Sequence, residues 1–137
     1  MPYWLPVTTP TSRIDIDLTW PGLISANVQL LFRYTAVPYV LAANLPGSVL
    51  SLVQGPNAAL SLPIQQLRPN PPQSGQQASW TVIAQGTLQW AAGATVGTAT
   101  TPAFALLAGD ALVVTGPSSF DARASDLRSA ILGDLVQ

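Results

Sequence analysis

Proline and glycine interrupt this chain about every ten residues, with 13 prolines and 10 glycines in all. That punctuation constrains the fold more than any other feature. Proline cannot continue a helix or a central strand, and glycine loosens both. The runs between the breaks are rich in Val, Leu, Thr and Trp, residues that suit a pleated, half-buried surface. Many short strands joined by turns make a sandwich or a barrel, so the expected class is all-β.

Residues 13–20, RIDIDLTW, alternate strictly. Ile14, Ile16 and Leu18 point one way, and Arg13, Asp15, Asp17 and Thr19 point the other, as in a half-buried strand. Pro21 and Gly22 should then turn the chain. Residues 26–34 read as a second strand, apolar enough to be covered on both faces. A third, 37–43, contains Pro38, which suits an edge or a strand start. Further strands are expected at 49–54, 59–67, 80–85, 87–92, 103–108 and 111–115.

Asp110 is the first charge after Arg68 and interrupts an apolar run. Gly109 can take a positive φ, and Asp110 tolerates turn conformations while solvating a bend. The pair therefore predicts a turn between two strands.

Residues 34–53 are uncharged over a membrane-length span, but Pro38, Pro46 and Gly47 interrupt them. Asn44, Ser48 and Ser51 add polar groups, so membrane insertion is not expected. The first ten residues lack the basic and apolar regions of a signal peptide. Residues 1–12 are expected to form an extended arm. Residues 13–137 have a length that suits one sandwich domain. Within it, residues 68–79, RPNPPQSGQQAS, have the composition of a long exposed loop.

Only 8% of the residues are charged, every cation is Arg, every anion is Asp, and there is no Lys, Glu, His or Cys. Such a set cannot make a disulfide, an ordinary zinc or copper site, a Ser-His or Cys-His pair, or a lysine Schiff base. Five scattered arginines and a net charge of −1 argue against nucleic-acid binding, which draws most of its affinity from phosphate neutralisation. A weakly charged, apolar surface is poorly soluble when bare. Much of it should be covered by copies of the chain or by neighbours.

The end of the chain is ambiguous by periodicity. Leu127, Ile131 and Leu135 have helical spacing, with Ser119 or Asp121 as a cap. Equally, Arg128, Ala130 and Leu132 could share one face of a final strand. A resemblance bears on this choice. GTLQWAAG (86–93) followed by LLAGDALVVTGPSSFDARASDLRSAILGDL (106–135) is similar to a pattern of small bacteriophage virion proteins. The matching residues include Gly86, Thr87, Leu88, Trp90, Gly93, Gly109, Asp110, Leu112, Val114, Pro117, Asp121, Ala122, Asp126, Leu127, Leu132 and Gly133, and LAANLPGS (41–48) resembles an upstream segment of it. The loop at 68–79 looks like an insertion. The resemblance implies a jelly-roll-like antiparallel β-sandwich whose last segment is a strand. It also implies a non-enzymatic component of a tail fibre or baseplate in the virion, or alternatively a capsid decoration protein. Its partners would be itself, as a homotrimer, and other virion proteins, with a host surface glycan as a further candidate. No cofactor is implied.

Candidate sites are few. Asp15 and Asp17 could serve acid–base chemistry or calcium, but a solvated strand face beside Arg13 explains them better. Asp110, Asp121, Asp126 and Asp134 lack the tight alternate spacing of a calcium loop. Arg123 and Arg128 are expected to pair with neighbouring Asp residues. Among the aromatics, Trp20 before the Pro-Gly turn and Trp80 after the long loop are the expected exposed contacts. Tyr3 and Trp4 on the arm are candidate interface residues. A carbohydrate-binding module using Trp20 or Trp80 is the other function class that these residues allow.

Overall fold

The computed structural model describes residues 13–71, Gly75 and 79–136. The proposed arm, with Tyr3 and Trp4, lies outside the described residues. The chain is an antiparallel β-sandwich of ten strands and no helix among the described residues. In order they are β1 (Arg13–Leu23), β2 (Gln29–Tyr34), β3 (Tyr39–Leu41), β4 (Leu52–Gln54), β5 (Leu60–Pro69), β6 (Trp80–Trp90), β7 (Thr98–Thr100), β8 (Phe104–Leu106), β9 (Ala111–Thr115) and β10 (Ser125–Leu135).

Sheet I runs β1-β10-β3-β8, with β4 also on β10, and sheet II runs β2-β9-β5-β6-β7. The pairing is nested: β1 with β10, β2 with β9 and β3 with β8, all antiparallel. Consecutive strands therefore keep crossing between the sheets, from β1 to β2, β2 to β3, β4 to β5, β7 to β8, β8 to β9 and β9 to β10. Only β5–β6 and β6–β7 pair as sequence neighbours. Alternation places the core. Ile16, Leu18, Leu41, Leu52, Phe104, Leu106, Leu127 and Ile131 of sheet I meet Leu62, Ile64, Leu88, Trp90, Leu112 and Val114 of sheet II, all essentially inaccessible.

Several expectations shift. Pro21 and Gly22 do not turn the chain but form an irregularity within β1, opposite the end of β10. There the Gly22 N–H donates to Asp126 Oδ1 at 2.9 Å, so the strand bends and continues,. The strand expected at 26–34 begins at Gln29, and it is not covered on both faces, since Phe32 and Tyr34 are exposed. The strands expected at 80–85 and 87–92 are one, running through Gly86 opposite Ile64. The long loop is shorter than 68–79, because Arg68 and Pro69 stay in β5, paired with Thr81 and Trp80. Beyond that pairing the Asn70 N–H donates to the Ser79 carbonyl at 3.0 Å. β10 is a strand, with Arg128, Ala130 and Leu132 facing out and Leu127, Ser129 and Ile131 facing in. Among the described residues no helix is long and apolar enough to cross a membrane.

Candidate functional site

Two aspartates pin the crossings at the two ends of the sandwich. Gly109, with φ +94°, and Asp110 do form a turn, but it carries the chain from β8 in sheet I to β9 in sheet II. Asp110 does not solvate that bend: it is buried, 1% exposed. Its carboxylate accepts from Arg68 Nε and Nη2 at 3.0 Å each, from Gln66 Nε2 at 3.0 Å and from the Leu107 N–H at 2.9 Å. Burial pushes this carboxyl up, but those four donors together outweigh it and hold it below the usual carboxylate range,. The neighbouring crossing is tied in through backbone bonds, Thr35 N–H to the Asp110 carbonyl and Gly109 N–H to the Thr35 carbonyl, both 2.8 Å.

Asp121 does the corresponding work at the other end. It accepts from the N–H groups of Arg123 and Ala124 at 2.9 Å in its own crossing, and from Asn57 at 3.0 Å in the β4–β5 crossing. The Ala124 N–H, with those of Arg123, Asn57 and Ala58, outweighs partial burial and holds the carboxyl down at about 2. Arg123 and Arg128 form no ion pair among the described residues, where the pairs are Arg13 with Asp134 at 3.7 Å and Arg68 with Asp110. The expectation fails because the nearby carboxylates are occupied: Asp121 by backbone donors, and Asp126 by the Gly22 N–H. Nor do the aspartates gather, and no cluster of three or more potential ligands exists among the described residues.

The outer faces of the sheets differ in charge. Arg13, Asp15, Asp17, Asp126, Arg128 and Asp134 all ride on β1 and β10 of sheet I. The strands of sheet II contain no carboxylate and only Arg33 and Arg68, the latter committed to Asp110. Register sets out its outer face in rows. Phe32, Val113, Gln65 and Gln85 form one, and Tyr34, Ala111, Leu67 and Val82 the next. Trp80 closes the end, opposite Pro69.

Phe32, Tyr34 and Trp80 meet as a cluster, with ring centroids 5.0 Å apart for Phe32–Tyr34 and 5.7 Å for each ring to Trp80. Tyr34 is 64% exposed, and Val82 and Ile83, which follow Trp80 on β6, are exposed too. A contiguous exposed apolar patch of this kind marks an interaction surface.

The anticipated contacts are thus separated. Trp80 belongs to the patch. Trp20 does not: it is half-buried against the core, and its indole N–H donates to the Leu23 carbonyl at 3.1 Å within the β1 irregularity. Phe32 and Tyr34 escaped sequence reading as a pair, although their i, i+2 spacing in QLLFRY puts both on one strand face. Asp15 and Asp17 sit exposed on β1, opposite Leu132 and Ala130, with no third carboxylate beside them.

Two adjoining surface recesses share Ala59, Leu60 and Ser61 at the opposite end of sheet II. One, of about 350 Å³, lies against residues 117–121, and the other, of about 300 Å³, against Gln89, Trp90 and Thr98. Comparison with known proteins finds no matching family model, no matching curated relative and no matching solved structure.

Proposed function

We propose that this chain is a non-enzymatic structural protein of a bacteriophage virion, a tail-fibre or baseplate-associated component that assembles with copies of itself. The observation that carries the reading is the outer face of sheet II, whose strands place no charge on it, since Arg33 alternates to the opposite side from Phe32 and Tyr34, and which is capped by Phe32, Tyr34 and Trp80. Such a face is costly to leave in water. Depletion of charge and enrichment in aromatic residues are the marks of an interface core. The nested strand pairing supports a jelly-roll reading of the sandwich, the architecture shared by many capsid and lectin domains. It agrees with the resemblance carried by Gly109–Asp110 and the later Asp121, Ala122, Asp126 and Leu127. Sheet I, with its exposed charges, is the face left to solvent.

Light scattering after gel filtration tests this. A closed oligomer, a trimer foremost, is the expected result. A monodisperse monomer overturns self-assembly and leaves a protein that docks singly on a larger particle, as a capsid decoration protein does.

A further inference from the structure

The pair of recesses over Ala59–Ser61 lies far from the aromatic patch. Ser61 and Leu67 are six residues apart on β5, about 20 Å at strand rise. We infer that this double recess, whose Ser61, Gln89 and Thr98 share one register row at the far end of sheet II's outer face, is a binding cleft for a neutral carbohydrate chain, and the inference rests on that end lying clear of the contact centred on the aromatic patch. Its floor is the exposed Ala59 and Ser61 with the buried Leu60 between them.

The chemistry of the walls selects the ligand class. Ser61, Ser118, Ser119 and Thr98 offer hydroxyls that make no hydrogen bond to another described residue, so all are free to exchange water for ligand oxygens. Gln89 donates to Thr87 Oγ1 at 2.9 Å, which fixes its amide and leaves the carbonyl oxygen free. Phe120 stands on the lip, 58% exposed, where its ring can lie against the apolar face of a sugar. No cation lines either recess. The only charge is the Asp121 carboxylate, already engaged by backbone N–H groups. Anionic ligands therefore meet no countercharge and one like charge, while a neutral polyol meets donors, acceptors and one aromatic ring.

Trp90 bounds the inner recess from beneath, its indole packed in the core and its Nε1 closed to solvent. The two recesses share Ala59, Leu60 and Ser61, and together they offer room for more than a single sugar ring. No covalent step is involved.

The test is an amide-resolved NMR titration of the whole protein with neutral tetrasaccharides of glucose, galactose and N-acetylglucosamine. Concentrations should reach about 10 mM, so that weak, millimolar affinities register. Expected are shifts confined to residues 58–61, 89–91 and 117–121 for at least one of the three. A sulfated tetrasaccharide should give none. Phe120→Ala, at an exposed loop position, should weaken binding about tenfold or more. Ser61→Tyr, which fills the cleft from its floor, should abolish it. Each variant's unperturbed spectrum away from the cleft verifies its fold. The inference is overturned by an absence of shifts with all three sugars, by shifts centred on Phe32, Tyr34 and Trp80, or by unchanged affinity in both variants.

Discussion

The Arg68 guanidinium meets the Asp110 carboxylate through two parallel hydrogen bonds, Nε to Oδ1 and Nη2 to Oδ2, each 3.0 Å long. The pair is lopsided, because the carboxylate is buried while the arginine is partly open to water. Arg68 lies on β5 of sheet II, and Asp110 ends the turn that leaves β8 of sheet I. One ion pair thus fastens a crossing between the sheets, and Gln66 adds a strut by donating both to Asp110 and to the Ala105 carbonyl at 2.8 Å.

Replacing Asp110 should therefore be felt by the whole fold. Asp110→Ala leaves the Leu107 N–H and the Arg68 guanidinium without their acceptor and Gln66 with only the Ala105 carbonyl. The expected cost is about 2–4 kcal/mol, the range for stranding buried polar partners. Urea unfolding should show the midpoint falling with little change in slope. Asp110→Asn should lose less, since an amide oxygen still accepts. Equal stability of Asp110→Ala and the natural sequence would mean that the corner is held by its backbone bonds to Thr35 alone.

Acid should loosen both ends. Asp110 and Asp121 each have a folded pKa below the ordinary value of 3.8, Asp121 at about 2. A carboxyl with a depressed folded pKa binds its proton more weakly in the folded chain than in the unfolded one. Its stabilisation is complete above the unfolded value and drains away as pH falls through the folded one. Stability should thus be level near neutrality and fall from about pH 4 towards about pH 2. In Asp121→Asn that slope should be shallower, and amide exchange at Asn57 and Ala58 should quicken at neutral pH. An unchanged slope in this variant would remove Asp121 from the account.

Gly116 offers a steric test of how the crossings pack. A Cβ added there would lie 2.0 Å from the Ser25 carbonyl oxygen, which belongs to the β1–β2 crossing. Its N–H donates to the Val28 carbonyl at 2.7 Å, and Asn27 N–H donates to Pro117 at 3.0 Å. Backbone meets backbone, so no side chain can rotate away. Gly116→Ala should destabilise by about 1–3 kcal/mol, as overpacking does, visible as a lower melting temperature. The lost protection in hydrogen exchange should centre on residues 24–28.

These corners are also where sequence reading ran out. The strict alternation of Ile14, Ile16 and Leu18 made β1 legible, and the Gly109–Asp110 pair marked its turn correctly. All-β architecture followed from the Pro and Gly punctuation. Whether that turn closes a hairpin or crosses between sheets depends on what the strands pair with, which local pattern does not encode. Asp110 looked like a solvated turn residue because its partners lie 42 and 44 residues away, at Arg68 and Gln66. For the same reason Arg68 was read as the start of a loop. Pro21 and Gly22 carry a turn signal, yet pairing along β10 and the distant Asp126 carboxylate keep the chain in the strand. The C-terminal segment was undecidable by period, since helical and alternating patterns coexist in DLRSAILGDL, and the neighbouring strands β1, β3 and β4 settle it. Of the patch, only Trp80 was expected to be exposed. Its companions Phe32 and Tyr34 arrive from β2 through the β9 and β5 registers.

The patch carries the last prediction. If sheet II's outer face is buried between copies, its centre should hold most of the association energy, as aromatic residues in the desolvated middle of an interface do. Tyr34→Ser with Val82→Thr removes exposed apolar surface and leaves the core facing sheet I untouched, because both side chains point outward. Polar residues at those positions cost the isolated subunit little, since each is already open to water. The oligomer should weaken by a factor of about 30 or more, the equivalent of a 2 kcal/mol hot spot. Light scattering over a dilution series would then show dissociation where the natural sequence stays assembled. Asp15→Asn with Asp17→Asn alters the outer face of sheet I and should leave the mass unchanged. Reversal of the two results, with the Asp15 and Asp17 variant dissociating and the Tyr34 and Val82 variant intact, would move the interface to β1 and β10. Assembly would then run through the charged face, and the exposed aromatics would be free for another partner.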